Sequence, residues 1–277
     1  MFPAREPVHQ PFETDSDSHS SGTTFAPTHI TPEIFLGDKM PDDKPPNTTR
    51  MFFVNVNGLR FGPQGGEFLE VCAQMHSAHI DILGLAETKL DTQKREVVAT
   101  CTRAARRTFP FSRVVMSSSA ISYTSHFKPG GTALIAAGSI TGRIIATFQD
   151  PMGRWSAISL IGAGSRQLTV ISAYQVCNTR SDRNTKARSM AAATQQQAMI
   201  SISDPNSSMH PRTKFRIDIL AFIQKRQRER HDIILMGDFN EAYGADPSGL
   251  MHIASTCALV DVFHQRIGST QFATFSG

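Results

Sequence analysis

From Met51 onward the chain alternates short apolar runs with turn signals, and the spacing of those runs predicts the elements. "MFFVNV" (51–56) reads as a strand. "GEFLEVCAQMHSAH" (66–79) reads as a helix, with Phe68, Leu69, Cys72 and Met75 along one stripe. "IDILGLAET" (80–88) is a buried strand that ends in polar residues. Four further runs, "GTALIAAG" (131–138), "GRIIATFQD" (142–150), "WSAISLIG" (155–162) and "QLTVISAYQV" (167–176), predict strands spaced closely enough to pair with antiparallel neighbours. A polar and basic stretch (178–188) precedes an Ala/Gln-rich helix (187–201). A second helix over 212–230 has Phe215, Ile219, Phe222 and Ile223 at helical spacing, and a strand at 232–237 follows it. Alternation of strands and helices combined with consecutive strands predicts an α/β fold, two packed mixed sheets covered by helices.

The first 50 residues lack this pattern. They hold 4 Lys/Arg against 8 Asp/Glu and 8 of the 15 prolines, so they read as an acidic, disordered lead-in to a domain spanning 51–277. That domain carries 24 basic and 16 acidic residues, a net charge of +8 that suits a phosphate-rich partner. No apolar run reaches the roughly 18 residues that cross a bilayer, and the N-terminus has no secretory h-region, so no membrane association is expected. Cys72, Cys101, Cys177 and Cys257 lie far apart without a Cys-x-x-Cys pair. We read them as reduced and buried, which favours an intracellular address with the nucleus open to it. No protein partner is evident.

Candidate chemistry gathers at strand ends. "FFVNVNG" ends in Asn55 and Asn57, "ILGLAETK" in Glu87, and "IILMGDFNE" in Asp238, Asn240 and Glu241. In α/β folds catalytic groups collect beyond the strand ends, where rigid backbone lets side chains converge. Hard oxygen donors of this type suit Mg2+ or Mn2+. Each motif has a plainer reading: Asn57-Gly58 as a turn, Glu87 as a solvated strand end, and Arg180, Arg183, Lys186 and Arg188 as a solvated loop. His76 and His79, three apart, fit an ordinary helix face.

Taken together, "NVNGLR" (55–60), "LGLAETK" (83–89), "GGTALIA" (130–136), "ISAYQVCN" (171–178) and "ILMGDFNE" (234–241) resemble, in order, the endonuclease/exonuclease/phosphatase superfamily of exonuclease III, apurinic endonucleases and DNase I. "DPMGRWSAISL" and "PRTKFRIDILAFI" are similar to the version found beside reverse transcriptases in retroelements. The resemblance implies a four-layer α/β sandwich and Mg2+-dependent phosphodiester hydrolysis. It makes Glu87 the principal metal ligand with Asn57 beside it, and Asn55 the holder of the scissile phosphate or of the water on the metal. Asp238 would orient or deprotonate the attacking water, and Asn240 would fix phosphate and base geometry. Tyr174 would contact the phosphate and Asn178 the substrate, while Arg180 and Arg183, one loop beyond a strand tip, suit a phosphate-backbone role on position alone.

Relatives continue past the Gly-Asp-x-Asn strand into an Arg-Ile-Asp-Tyr-like motif and a terminal Ser-Asp-His, whereas this sequence ends at Gly277 after "QFATFSG". The expectation is therefore a domain lacking its last strand or strands and its final Asp and His. Loss of such a His typically costs about 10²–10⁴ in rate. Three functions stay open: a DNA endonuclease of retroelement type, a phosphomonoesterase or phospholipid hydrolase of the same superfamily, and a non-catalytic truncated relic.

Overall fold

The alternation inside one strand explains the layering. In the computed structural model, which describes residues 43–121, 128–177, 188–262 and 265, all five residues of β2 (Ile82–Ala86) are buried. Leu83 and Leu85 point to one side of it. There they join Phe68, Cys72 and Met75 of α1 (Glu67–Ser77) and Val97, Cys101, Ala104 and Ala105 of α2 (Arg95–Thr108). Ile82 points the other way, into a second apolar cluster with Leu134, Ile158, Leu160 and Val170. A strand covered on both faces needs a continuous apolar run, and "ILGLA" supplies it.

The first sheet has the order β1 (Met51–Asn55), β2, β4 (Thr132–Ala137), β3 (Ser112–Ser117). Its β1 and β2 run parallel, and the other pairs are antiparallel. The second sheet runs β5 (Ile144–Gln149), β6 (Trp155–Ile161), β7 (Gln167–Tyr174), β8 (His231–Asp238), with only β7 and β8 parallel. After β7 come α3 (Arg188–Ser203) and α4 (Pro211–Arg228), and α5 (Leu250–Thr256) follows β8. Phe215, Ile219 and Ile223 of α4 and Ile253 of α5 pack with Trp155, Ala157 and Ile171 of the second sheet. Three apolar clusters thus separate four layers. The architecture is the expected α/β sandwich of two mixed sheets flanked by helices.

The sheets are also pinned to one another by buried hydroxyls. Ser172 Oγ donates to Leu85 O at 3.1 Å, Thr132 Oγ1 and Ser156 Oγ are 3.0 Å apart, and Ser117 Oγ donates to Asp150 O. Each pairs a residue of the first sheet with one of the second or of the turn beside it.

Several expectations change. The strands at 132–137 and 144–149 do not pair, because a 3-10 segment at Gly138–Arg143 carries the chain from the first sheet to the second. Helix α2, strand β3 and helix α5 add elements where none is expected above. Three cysteines are free and buried as expected, and burial pushes the thiols of Cys72 and Cys101 up to about 12. Cys177 is free but only half-buried, because it lies past the end of β7. Both sheets belong to the unit Met40–Gly277. Among the described residues, no helix is long and apolar enough to cross a membrane.

Candidate active site

Two parallel strand pairs deliver their C-terminal ends to one place. In the first sheet Asn55 stands opposite Ala86, one residue before Glu87, and in the second Tyr174 stands opposite Asp238. The amide nitrogen of Asn55 donates to Asp238 Oδ2 at 2.7 Å and to Glu87 Oε1 at 3.2 Å. One neutral side chain therefore bridges two carboxylates from two different sheets, 183 and 32 positions away from it in sequence. Its own carbonyl oxygen accepts the Asn57 N–H at 2.8 Å, which fixes which end of the amide faces the carboxylates.

Beneath Glu87 lies Tyr174, 1% exposed, whose hydroxyl donates to that carboxylate. Burial, and after it the negative charge of Glu87, holds the phenol far above its ordinary range, so it stays a proton-bearing donor.

Lys89, which sequence reasoning missed, supplies the local positive charge. Its ammonium lies 2.5 Å from Asn57 Oδ1, 2.8 Å from Asn57 O and 3.5 Å from Glu87 Oε2, and its side chain is 6% exposed. Its place two residues after Glu87 was the one signal, and the left-handed backbone at both residues hid where its side chain would reach.

The Asp238 loop is held from behind. Asp238 Oδ1 accepts the backbone N–H of Asn240 at 3.1 Å. Asn240 Nδ2 donates to Gln175 O at 2.7 Å, and the Cys177 thiol donates to Asn240 Oδ1 at 3.0 Å. Burial and the nearby Glu87 charge raise the Cys177 pKa, so the thiol keeps its proton for this bond. Gly237 admits the close packing: a Cβ there would stand 2.9 Å from Ala173 O and 2.8 Å from the Phe239 ring.

Glu241, grouped above with the strand-end candidates, turns away from the site. Its carboxylate takes Arg212 at 2.8 Å, Arg216 at 2.7 Å and the Leu250 N–H at 2.8 Å. Arg212 also donates to Val176 O at 2.6 Å, which ties α4 to the segment after β7. The clamp needs Gly249, where a Cβ would fall 1.7 Å from Glu241 Oε1.

Backbone strain collects here too. Asn57, Glu87, Lys89 and Asn240 all have positive φ, between 46° and 55°. Left-handed geometry costs roughly 1–2 kcal/mol for an ordinary L-residue, and such outliers cluster where a site dictates side-chain direction. Asn178, Arg180 and Arg183 lie outside the described residues. His76 and His79 are far from the carboxylates. With Lys44, Asp81 and Phe109 they line a groove of about 540 Å³ at the opposite end of the first sheet.

A family profile described as the Endonuclease/Exonuclease/phosphatase family matches residues 53–276. The chain belongs to the endonuclease/exonuclease/phosphatase family. Solved structures similar to it include an AP endonuclease from Leishmania major (18% identity, TM-score 0.45, covering 78% of this chain and 69% of that one). The human Nocturnin catalytic domain with bound sulfate anion is another (15% identity, TM-score 0.44, 76% and 72%). A family protein from Leptotrichia buccalis is a third (14% identity, TM-score 0.42, 75% and 72%). No curated protein matches the chain.

Enzymes of the endonuclease/exonuclease/phosphatase family are generally hydrolases that use divalent metal ions. Among the described residues, no group of three or more His, Cys, Asp or Glu side chains gathers as a metal cage. The donor set here has a different form. Glu87 Oε2 and Asn57 Oδ1 both face a single cationic point, presently the Lys89 ammonium. A hard cation that keeps waters and meets substrate phosphate needs only one or two carboxylates from the protein, so these oxygens fit such an ion.

Proposed function

We propose that this chain hydrolyses phosphodiester bonds in nucleic acid, DNA foremost, with Mg2+ or Mn2+ at Glu87 and Asn57. The observation that carries this reading is the Asn55 amide bridging Glu87 and Asp238 across the two sheets. The retroelement-like segments "DPMGRWSAISL" and "PRTKFRIDILAFI" and the +8 domain charge favour a DNA-nicking endonuclease of retroelement type.

Roles follow from the geometry. Asp238 has one oxygen on the Asn55 amide and the other on the Asn240 N–H, so its carboxylate is held in one orientation. Fixed in this way, it accepts the proton of an attacking water. Asn55 uses both amide hydrogens on carboxylates and serves as the spacer that keeps Glu87 and Asp238 apart. The phosphate-orienting role then falls to Asn240, whose amide nitrogen spends one hydrogen on Gln175 O and keeps the second. Tyr174 fixes Glu87 from below. The chemistry a divalent ion supplies when bound is positive charge for the developing pentacoordinate phosphorus.

The test is nicking of supercoiled plasmid in Mg2+ and in Mn2+ by the chain and by its Asp238→Asn variant. We expect nicked circles from the first and a rate lower by about 10²–10⁴ from the second, with an unchanged circular dichroism spectrum. Equal rates, or no nicking by the unaltered chain, would overturn the reading. Phosphate release from inositol phosphates without nicking would move the assignment to a phosphomonoesterase of the same family.

A further inference from the structure

Among the described residues, the buried arginines and half-buried Arg216 are paired. Arg154 is paired with Asp150 and Asp218, Arg212 and Arg216 with Glu241, and Arg226 with Glu229. Helix α2 concentrates four of the exposed arginines on one element. Its inner face is Val97, Thr100, Cys101, Ala104 and Ala105. Its outer face carries Arg95, Arg103, Arg106 and Arg107, all exposed, and none forms an ion pair with any described residue. At 3.6 residues per turn Arg95, Arg103 and Arg106 fall within about 80° of one another, on one broad face of the helix. That face is about 16 Å long at 1.5 Å per residue.

The ordinary explanation of basic residues on a helix is the macrodipole, which favours cations at the C-terminal turn. It accounts for Arg106 and Arg107. It does not account for Arg103 in the middle, and it runs against Arg95, which occupies the first turn. That first turn has no side-chain cap and begins six residues after Lys89. Glu96 is the one acidic residue on this helix, so its exposed face keeps an excess of positive charge that complements a polyanion.

We propose that the exposed face of α2 is an electrostatic docking ridge for the phosphate backbone of duplex DNA, separate from the strand-tip site and indifferent to base sequence. A duplex presents one charge per roughly 1.7 Å of axis, so a ridge of this length meets several phosphates. The proposal deepens the nucleic-acid reading given above and rests on it for the choice of partner. Its test reads binding, without cleavage.

The test uses the full chain with Asp238→Asn, so that the probe survives, with and without the triple change Arg103→Gln, Arg106→Gln, Arg107→Gln. Fluorescence anisotropy of two labelled duplexes of unrelated sequence is followed from about 50 to about 200 mM salt. Each lost phosphate contact removes about 0.9 from the slope of log affinity against log salt, so the triple variant should be shallower by about 2–3. Its Kd should weaken several-fold, equally for both duplexes, and replacing the same three residues with Lys should restore the slope. An unchanged slope in a variant with an unchanged melting temperature overturns the ridge. So does absence of duplex binding by the parent chain, or a loss seen only with anionic phosphatidylserine vesicles. If plasmid nicking fails while the slope falls as stated, the catalytic reading is lost and the ridge stands. If nicking succeeds while the slope does not move, the reverse holds.

Discussion

Two glutamates sit at strand ends on the same side of the molecule, and the protein treats them in opposite ways. Glu241, its side chain 4% exposed, receives two guanidinium groups and a backbone N–H. Asp246 takes the other arm of Arg216 at 2.6 Å, so this corner holds two cations against two anions. Glu87, 18% exposed, receives an amide and a phenol, both neutral, and one ammonium at 3.5 Å. It also shares its amide donor with a second carboxylate. A fully neutralised carboxylate is a fastener. A carboxylate given neutral donors and a like-charged neighbour keeps negative potential in reserve, as the cation proposed at Glu87 requires.

The contrast predicts opposite signs on mutation. The largest effect should come from Glu241→Ala, which leaves buried Arg212 without its counter-charge. Breaking such a pair from one side costs about 3–5 kcal/mol. Urea denaturation measures it, and an unchanged midpoint would mean that Glu241 is no fastener. Burial already lowers the Arg212 pKa, which agrees with a guanidinium that depends on Glu241.

Next in size is Glu87→Gln, which we expect to leave stability within about 1 kcal/mol of the parent or to raise it, as removal of active-site strain often does. The same change should abolish the rise in melting temperature on adding Mn2+, which reports binding to the folded state. A large loss of stability without metal would erase the distinction between the two glutamates.

The smallest effect concerns His231, whose ring nitrogen lies 2.9 Å from Thr169 Oγ1. Burial first, and the Arg226 charge second, lower its pKa from 6.5. The fold therefore prefers the neutral ring. This contribution is complete above pH 6.5 and is lost as pH falls below it, because the unfolded chain takes up the proton first. Melting curves between about pH 7.5 and about 5.5 should show the drop, and His231→Asn should flatten it.

Much of the site was legible because Asn55, Glu87 and Asp238 are each among the first polar side chains after an apolar run, and a buried strand is a rigid pointer. What polarity cannot encode is the turn of the backbone just beyond. Lys89 reaches Asn57 from a tip where both Glu87 and Lys89 have left-handed φ, a kink that apolar patterning does not record. The Glu241 clamp was hidden for another reason. Arg212 and Arg216 are four apart on α4 and look like a solvated basic pair until burial makes them partners. Helix α2 escaped because small residues, Ala104, Ala105 and Cys101, make most of its inner face, so its stripe is faint. The crossing of the chain between sheets at Gly138–Arg143 was hidden by short spacing, which suits a hairpin equally well.

The buried hydroxyls between the sheets have a mechanical consequence. Greasy layers in contact can creep past each other by fractions of an ångström at little cost, but Ser172 on Leu85 and Thr132 on Ser156 act as keys in slots. The gap spanned by Asn55 at the tips is set some residues lower down, by the alignment of these keys. A Ser172→Ala change, remote from any reacting atom, should therefore loosen the tolerances of the jaw before it melts the body.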